Sequence, residues 1–285
     1  MSTTDGRPVV VGVDTSPSAR QAAEWAATEA ARRDVPLQVV HVVAESGGSA
    51  EVPGWLDDLL TAARKHGAGR VEARVERGKP AAVLLEHARS AGLVVVGGWG
   101  SDAFPGMLAG SVALTLVTHA TCPVAVVRGP APDATPRRDG PVVIGVDGSP
   151  DGDAALALGL DIAAAEGAGL VAVHTWSDVV PGPGGGAVRS HEDWGVLEEQ
   201  GREMLARHVA AAQEAHPEVP VEQHSVADRP VRALLRQADA ARLIVVGHRG
   251  QGGFTGMLLG STSQVLVQYA PCPVLVVRSD GPPAA

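Results

Sequence analysis

Gly97-Gly98-Trp99-Gly100 is followed, after nine residues, by Gly110-Ser111, and Gly247-His248-Arg249-Gly250 is followed, after the same nine, by Gly260-Ser261. The copies lie 150 residues apart, each directly after an apolar run, Leu93 to Val96 and Leu243 to Val246. Glycines beyond a strand tip let backbone N–H groups approach an anion, because no Cβ stands in the way. A Gly-Ser step opening a helix adds a hydroxyl and the positive end of the helix dipole. A lone glycine pair would be turn chemistry. The interval repeated in the same context reads as two phosphate sites, with Gly97, Gly98, Gly100, Gly110 and Ser111 in one. Gly247, His248, Arg249, Gly250, Gly260 and Ser261 form the other, where Thr262 and Ser263 add hydroxyls.

The rest of the chain carries the same duplication. Val11-Gly12-Val13-Asp14-Thr15-Ser16-Pro17 matches Ile144-Gly145-Val146-Asp147-Gly148-Ser149-Pro150 at an offset of 133, as His41 matches His174. Lys79-Pro80 matches Arg229-Pro230 at 150, and so do Phe104 and Phe254, Met107 and Met257, and Cys122-Pro123 and Cys272-Pro273. The change of offset places a 17-residue excess between about 175 and 220, where Pro181 to Gly186 and a longer second-helix region stand. Two domains are expected, 1–130 and 141–280, with 131–140 as a Pro-rich, charged linker. Each is large enough to bury a core.

The elements that must position the glycines follow from periodicity. Pro8 to Val13, Val35 to Val43, Arg70 to Glu76, Leu93 to Gly97 and Pro123 to Val127 read as strands. Ser16-Pro17 offers an N-cap and a first-turn proline to a helix through Arg33. Trp55 to His66, Pro80 to Ala91 and Gly110 to His119 read as further helices, and the second half repeats the order. Strands alternating with helices predict an α/β fold with a parallel sheet covered on both faces. Ligands of such open sheets bind beyond the carboxyl ends of the strands. Asp14, Gly97, Asp147 and Gly247 all fall at such ends.

Composition excludes several classes. The net charge is −9, no basic stripe is interleaved with aromatics, and nucleic acid is not the expected partner. The polar start, Met1 to Arg7, lacks the apolar core of a secretory signal, and no apolar run reaches membrane-spanning length, so no membrane partner and a cytoplasmic location are expected. Two cysteines in equivalent places read as small buried hydrophobes. The ten histidines show no metal-binding cluster, so no structural metal is expected.

Val-x-Val-Asp-x-Ser near the start, Gly-x2-Gly-x9-Gly-Ser, and a closing Cys-Pro-Val strand occur in that order in both halves. Together they resemble the universal stress protein family in its tandem-domain form. The resemblance implies two tandem open parallel five-stranded sheets, each in the order 3-2-1-4-5 with helices on both faces. It also implies the ATP-binding branch. Asp14 and Asp147 then fall where the first strand meets the nucleoside, with Gly12 and Gly145 beside them giving room. Glu45 and Asp178 follow the second strand and are placed to accept from ribose hydroxyls or adenine N6. The family pairs domains through the last strand, here Val124 to Val127 with Val274 to Val277, and a homodimer is the expected assembly.

No Gly-x4-Gly-Lys-Ser/Thr, no dinucleotide fingerprint after the first strand and no nucleophile elbow is present. Asp14 or Asp147 could serve a Mg2+ ion, but phosphoryl transfer also needs a group that positions the nucleophile, and the sequence names none. The expected function is therefore a non-enzymatic, ATP-binding stress or regulatory module. A slow ATP hydrolase or phosphotransferase, and an interaction scaffold that docks a partner on the Pro181 to Gly186 insert, are the alternatives. The plain reading of that insert is a flexible surface loop.

The halves differ at three places. Trp99 stands opposite Arg249, Asp102 opposite Gly252, and Val112-Ala113 opposite Thr262-Ser263. A charge-assisted hydrogen bond contributes roughly 1.5–3 kcal/mol when shielded, or about tenfold to hundredfold in affinity. The C-terminal site should therefore bind ATP more tightly. Site-resolved titration checks this, and a tighter first site would refute it.

Overall fold

The computed structural model describes residues 6–44, 53–100, 109–131, 133–177, 179–181, 187–189, 194–251 and 258–279. Contacts divide the chain into two units, one comprising Met1–Arg137 with Gln264–Arg278, the other Arg138–Ser263 with Ser279–Ala285.

The first unit runs β1 (Val9–Val13), α1 (Pro17–Arg33), β2 (Leu37–Val43), α2 (Gly54–Lys65), β3 (Val71–Arg77), α3 (Pro80–Ala88), β4 (Leu93–Gly97), α4 (Ser111–His119) and β5 (Val124–Val127). Its parallel strands lie in the order β3-β2-β1-β4-β5, as expected. Val9 to Val11 and Leu93 to Val96 are buried along their whole length, because α1 with α2 and α3 with α4 cover the sheet. Continuous Val runs are what two covered faces select. Ser16 caps α1 by accepting from Ala19 N at 3.1 Å, with Pro17 in the first turn.

The second unit repeats the plan with β6 (Val142–Gly145), α5 (Pro150–Ala165), β7 (Leu170–Trp176), α6 (Trp194–Gln213), β10 (Val221–Ala227), α7 (Pro230–Ala238) and β11 (Leu243–Gly247). Within it the order is β10-β7-β6-β11, all parallel. The 17-residue excess supplies β8 (Val179–Pro181) and β9 (Ala187–Arg189), an antiparallel pair, while 182–186 of the segment read as a surface loop lie outside the described residues. The rest of the excess lengthens α6 to 20 residues against 12 in α2.

Helix α8 (Ser261–Tyr269) precedes the last strand, β12 (Val274–Val277), which groups with the first unit. It pairs antiparallel with β5, Val274 opposite Val126 and Val276 opposite Val124. This is the pairing of the two last strands that the resemblance implies. Arg128 Nη1 donates to the Val267 and Gln268 carbonyls at 2.9 and 2.5 Å, and Arg278 Nη2 donates to the Thr118 carbonyl at 3.2 Å. Arg128 is so enclosed that burial pulls its pKa down to about 10.

Glu29, 3% exposed on α1, accepts from Arg32 Nε at 2.9 Å and Arg33 Nε at 2.6 Å. Burial pushes its carboxyl up, but the hydrogen bonds and charges of the two arginines outweigh that and hold it below the usual range. Its stabilisation is therefore complete above the ordinary glutamate pKa and lost as pH falls through the lowered one. Glu29→Ala should cost about 3–5 kcal/mol at neutral pH in urea unfolding and flatten the acid limb of the stability curve. An unchanged acid limb would contradict this role.

Candidate functional site

Asp14, at the tip of β1, is a fastener as well as a cavity residue. Its Oδ1 accepts from Ser16 N at 2.9 Å and Ser16 Oγ at 2.5 Å, and the same Oγ accepts from Ala19 N. The carboxylate thus holds the side chain that caps α1. A Cβ on Gly100 would lie 3.3 Å from Asp14 Oδ2, so the glycine loop passes close above the second oxygen. His41, at the end of β2, donates from Nδ1 to the Val13 carbonyl at 2.9 Å and packs edge-on against Trp55 with 4.9 Å between ring centroids.

These groups surround a cavity of about 480 Å³ at the carboxyl ends of β1, β2 and β4. Its wall combines Gly12, Asp14, Gly97, Gly100, Gly110 and Ser111 with apolar Val40, Leu84, Val96 and Trp99. Helix α4 begins there without a side-chain cap, and its first residues, Ser111, Val112 and Ala113, are all on the wall. An uncapped first turn presents N–H donors and a positive dipole end. Arg128 lies behind Trp99 with its guanidinium carbon 4.3 Å from the ring centroid.

The second unit builds the same arrangement. Asp147 Oδ1 accepts from Ser149 N at 3.0 Å and Ser149 Oγ at 2.6 Å, and Ser149 Oγ accepts from Gly152 N at 3.1 Å. Asp147 Oδ2 accepts from Gln251 N at 2.9 Å, tying the strand tip to the glycine loop. A Cβ at position 250 would collide with that oxygen, so glycine is required there. His174 donates from Nδ1 to the Val146 carbonyl at 2.9 Å, and burial is the main cause that lowers its pKa and favours the neutral ring. The cavity, about 530 Å³, is walled by Gly145, Asp147, His174, Gly247, Arg249, Gly250, Gln251, Gly260, Ser261, Thr262 and Ser263, with Leu234 and Val246 among the apolar residues.

Some expected site residues have other tasks. Gly98 and His248 are buried and absent from the walls; their carbonyls accept from Gly110 N and Gly260 N, each at 2.9 Å, which closes the loops. Ser263 reaches the wall, but its hydroxyl proton goes to the Gly247 carbonyl at 2.6 Å because that oxygen lies directly beneath it. Asp14 and Asp147 hold the serines that cap α1 and α5 while also lining the cavities. Glu45, Asp178, Asp102, Gly252 and the Phe104/Phe254 and Met107/Met257 pairs lie outside the described residues.

Sequence reasoning misses the residues beneath the loops. Trp99 N donates to Ser18 Oγ at 3.3 Å, whereas Arg249 N donates to Asp151 Oδ2 at 3.0 Å. Asp151 Oδ1 also accepts from Ser279 N at 2.8 Å and Ser279 Oγ at 2.6 Å. Burial raises the Asp151 pKa, but the bonds from Ser279 and Arg249 N outweigh it and hold the carboxyl below its usual range. The signal lay in the offset of 133, which pairs Ser18 with Asp151.

The model of the universal stress protein family matches the chain twice, over residues 6–128 and 140–278. Universal stress protein Rv2623 of Mycobacterium tuberculosis is 36% identical over 294 residues, covering 95% of this chain and 96% of its own length. Universal stress protein Rv2005c of the same organism is 38% identical over 291 residues, with the same 95% and 96% coverage. Among solved structures, a universal stress protein from Archaeoglobus fulgidus has the same fold, with a TM-score of 0.65 at 18% identity, covering 95% of this chain and 98% of that one.

The fastening geometry makes Asp147 a stability residue even without ligand. Asp147→Ala leaves Ser149 N and Gln251 N without their acceptor and should lower the stability of the nucleotide-free protein by about 1–3 kcal/mol, read by urea unfolding. Asp147→Asn, which keeps an acceptor oxygen, should lose less. Equal stability of all three proteins would show that the carboxylate fastens nothing.

Proposed function

This chain belongs to the universal stress protein family, and we propose that both of its strand-end cavities bind an adenine nucleotide, ATP in the second. The observation that carries the reading is the first wall, where a glycine loop, an uncapped helix start and a fastened carboxylate meet in one cavity, together with the glycine loop, helix start and fastened carboxylate of the second. Backbone donors near Gly100 and Ser111, and near Gly250 and Ser261, suit phosphate oxygens. Apolar Val40 and Leu84, or Val173 and Leu234, suit the flat faces of a base.

The role we assign is binding and regulation rather than turnover. Asp147 already accepts three hydrogen bonds through its two oxygens, which suits a fastener better than a metal ligand or a base. Among the described residues no group of three or more His, Cys, Asp or Glu side chains could hold a metal, so Mg2+ would enter with the nucleotide phosphates. Occupancy of the cavities, read by a protein partner or by self-association, would then carry the signal. No helix among the described residues is long and apolar enough to cross a membrane.

Denaturing freshly purified protein and quantifying the released small molecules should yield one to two adenine nucleotides per chain. Arg249→Ala should weaken ATP binding at the second cavity by about tenfold to hundredfold in calorimetric titration. No nucleotide released, and none taken up on adding ATP, would overturn the reading.

A further inference from the structure

We propose that the two cavities take different ligand classes, the first a nucleotide with a single phosphate and the second a polyphosphate. The inference rests on the nucleotide reading above and adds a division of labour between the sites. Three corresponding wall positions change together. Trp99, Val112 and Ala113 in the first cavity stand where Arg249, Thr262 and Ser263 stand in the second. Two of the three, at 99 and 112, replace a cation or a hydroxyl with an apolar side chain, whereas Ser263 donates its hydroxyl proton to the Gly247 carbonyl.

Among the described wall residues, the first cavity keeps for an anion only backbone donors, near Gly100 and in the uncapped first turn of α4, with the Ser111 hydroxyl. One phosphate, lying between the loop and the helix start, uses these donors. Each additional phosphate brings further negative charge that needs a donor or a cation close by. Among the described wall residues, the first cavity offers the Asp14 carboxylate and no arginine or lysine. Arg128 does not supply the missing charge. Its guanidinium is stacked on Trp99, is bonded to the Val267 and Gln268 carbonyls, and is not on the wall. Trp99 itself is 6% exposed, held by that stack, and its ring makes an apolar surface where the second cavity presents a cation. The second cavity keeps Arg249 and the Thr262 hydroxyl for the outer phosphates of a longer chain.

Native mass spectrometry of the full chain with ATP, with AMP, and with both tests the division. ATP alone should load one molecule per chain. Adding AMP should give a mixed species with one ATP and one AMP, and the first cavity should hold AMP at least tenfold more tightly than ATP. Trp99→Arg should raise ATP loading to two per chain. The substitution Val112→Thr leaves the Trp99–Arg128 stack in place and should shift preference at the first cavity toward ATP by a smaller factor. Two ATP bound to the wild-type chain with affinities within threefold, or AMP that displaces ATP without a mixed species, would overturn the inference while leaving nucleotide binding intact. No uptake of either nucleotide would remove both readings together.

Discussion

The structure depends on one carboxylate at the tip of each first strand. Asp147 reaches two separate pieces of chain: through Oδ1 it holds the serine that caps α5, and through Oδ2 it holds the backbone of the glycine loop after β11. Asp14 holds the cap of α1 in the same way. Charge-assisted hydrogen bonds of this kind are short and strong. The glycine loop comes close enough to Asp147 that a side chain at position 250 would strike the carboxylate. The strand-end aspartate and the glycine pattern are therefore one feature seen at two places in the sequence. That accounts for their survival together in both halves.

Much of this was legible beforehand because it follows from local rules. Ser16-Pro17 and Ser149-Pro150 specify helix starts by capping and a fixed φ, and both helices begin there. Unbroken Val-rich runs specify doubly covered parallel strands, and the glycine interval placed a loop at the end of β4 and of β11. What escaped depends on contacts between distant segments. Nothing near Ser18 or Asp151 announces that a loop about 81 or 98 residues later will rest its amide on them. The engagement of Ser263 with Gly247 is hidden in the same way, since a hydroxyl after Gly-Ser reads as a ligand donor until the carbonyl beneath it is seen. The pairing of β8 with β9 escaped as well, since it joins residues on either side of a Gly-Pro run.

The halves could diverge in chemistry because backbone contacts carry the geometry. Gly110 N bonds to the carbonyl of residue 98 and Gly260 N to that of residue 248, whether the side chain there is hydrogen or imidazole. The next amide is held by a hydroxyl in one unit and a carboxylate in the other. With the loop path fixed from below, the side chain at position 99 or 249 is free to be an indole or a guanidinium. The indole then has a neighbour suited to it, since Arg128 stacks on its ring and is tied in turn to the segment before β12. An arginine thus remains near both loops: in the first unit Arg128 stabilises packing, and in the second Arg249 is among the residues that line the cavity.

An acidic side chain on the wall of an anion site would ordinarily oppose binding, because like charges at a few ångströms repel strongly where water is excluded. The hydrogen bonds of Asp147 reduce that conflict. Two amide dipoles and a hydroxyl point at its oxygens and spread the negative charge over the loop and the start of α5. The same bonds shape the loop whose glycines would leave space for the proposed phosphate. In the proposed reading the carboxylate would assist binding by organising the donors around an anion without competing for them. Position 151 extends this logic one layer down, where a second carboxylate under Arg249 is offset by Ser279 and by the Arg249 amide. The second cavity can accordingly carry more acid in its foundations than the first and still present a cation at its surface.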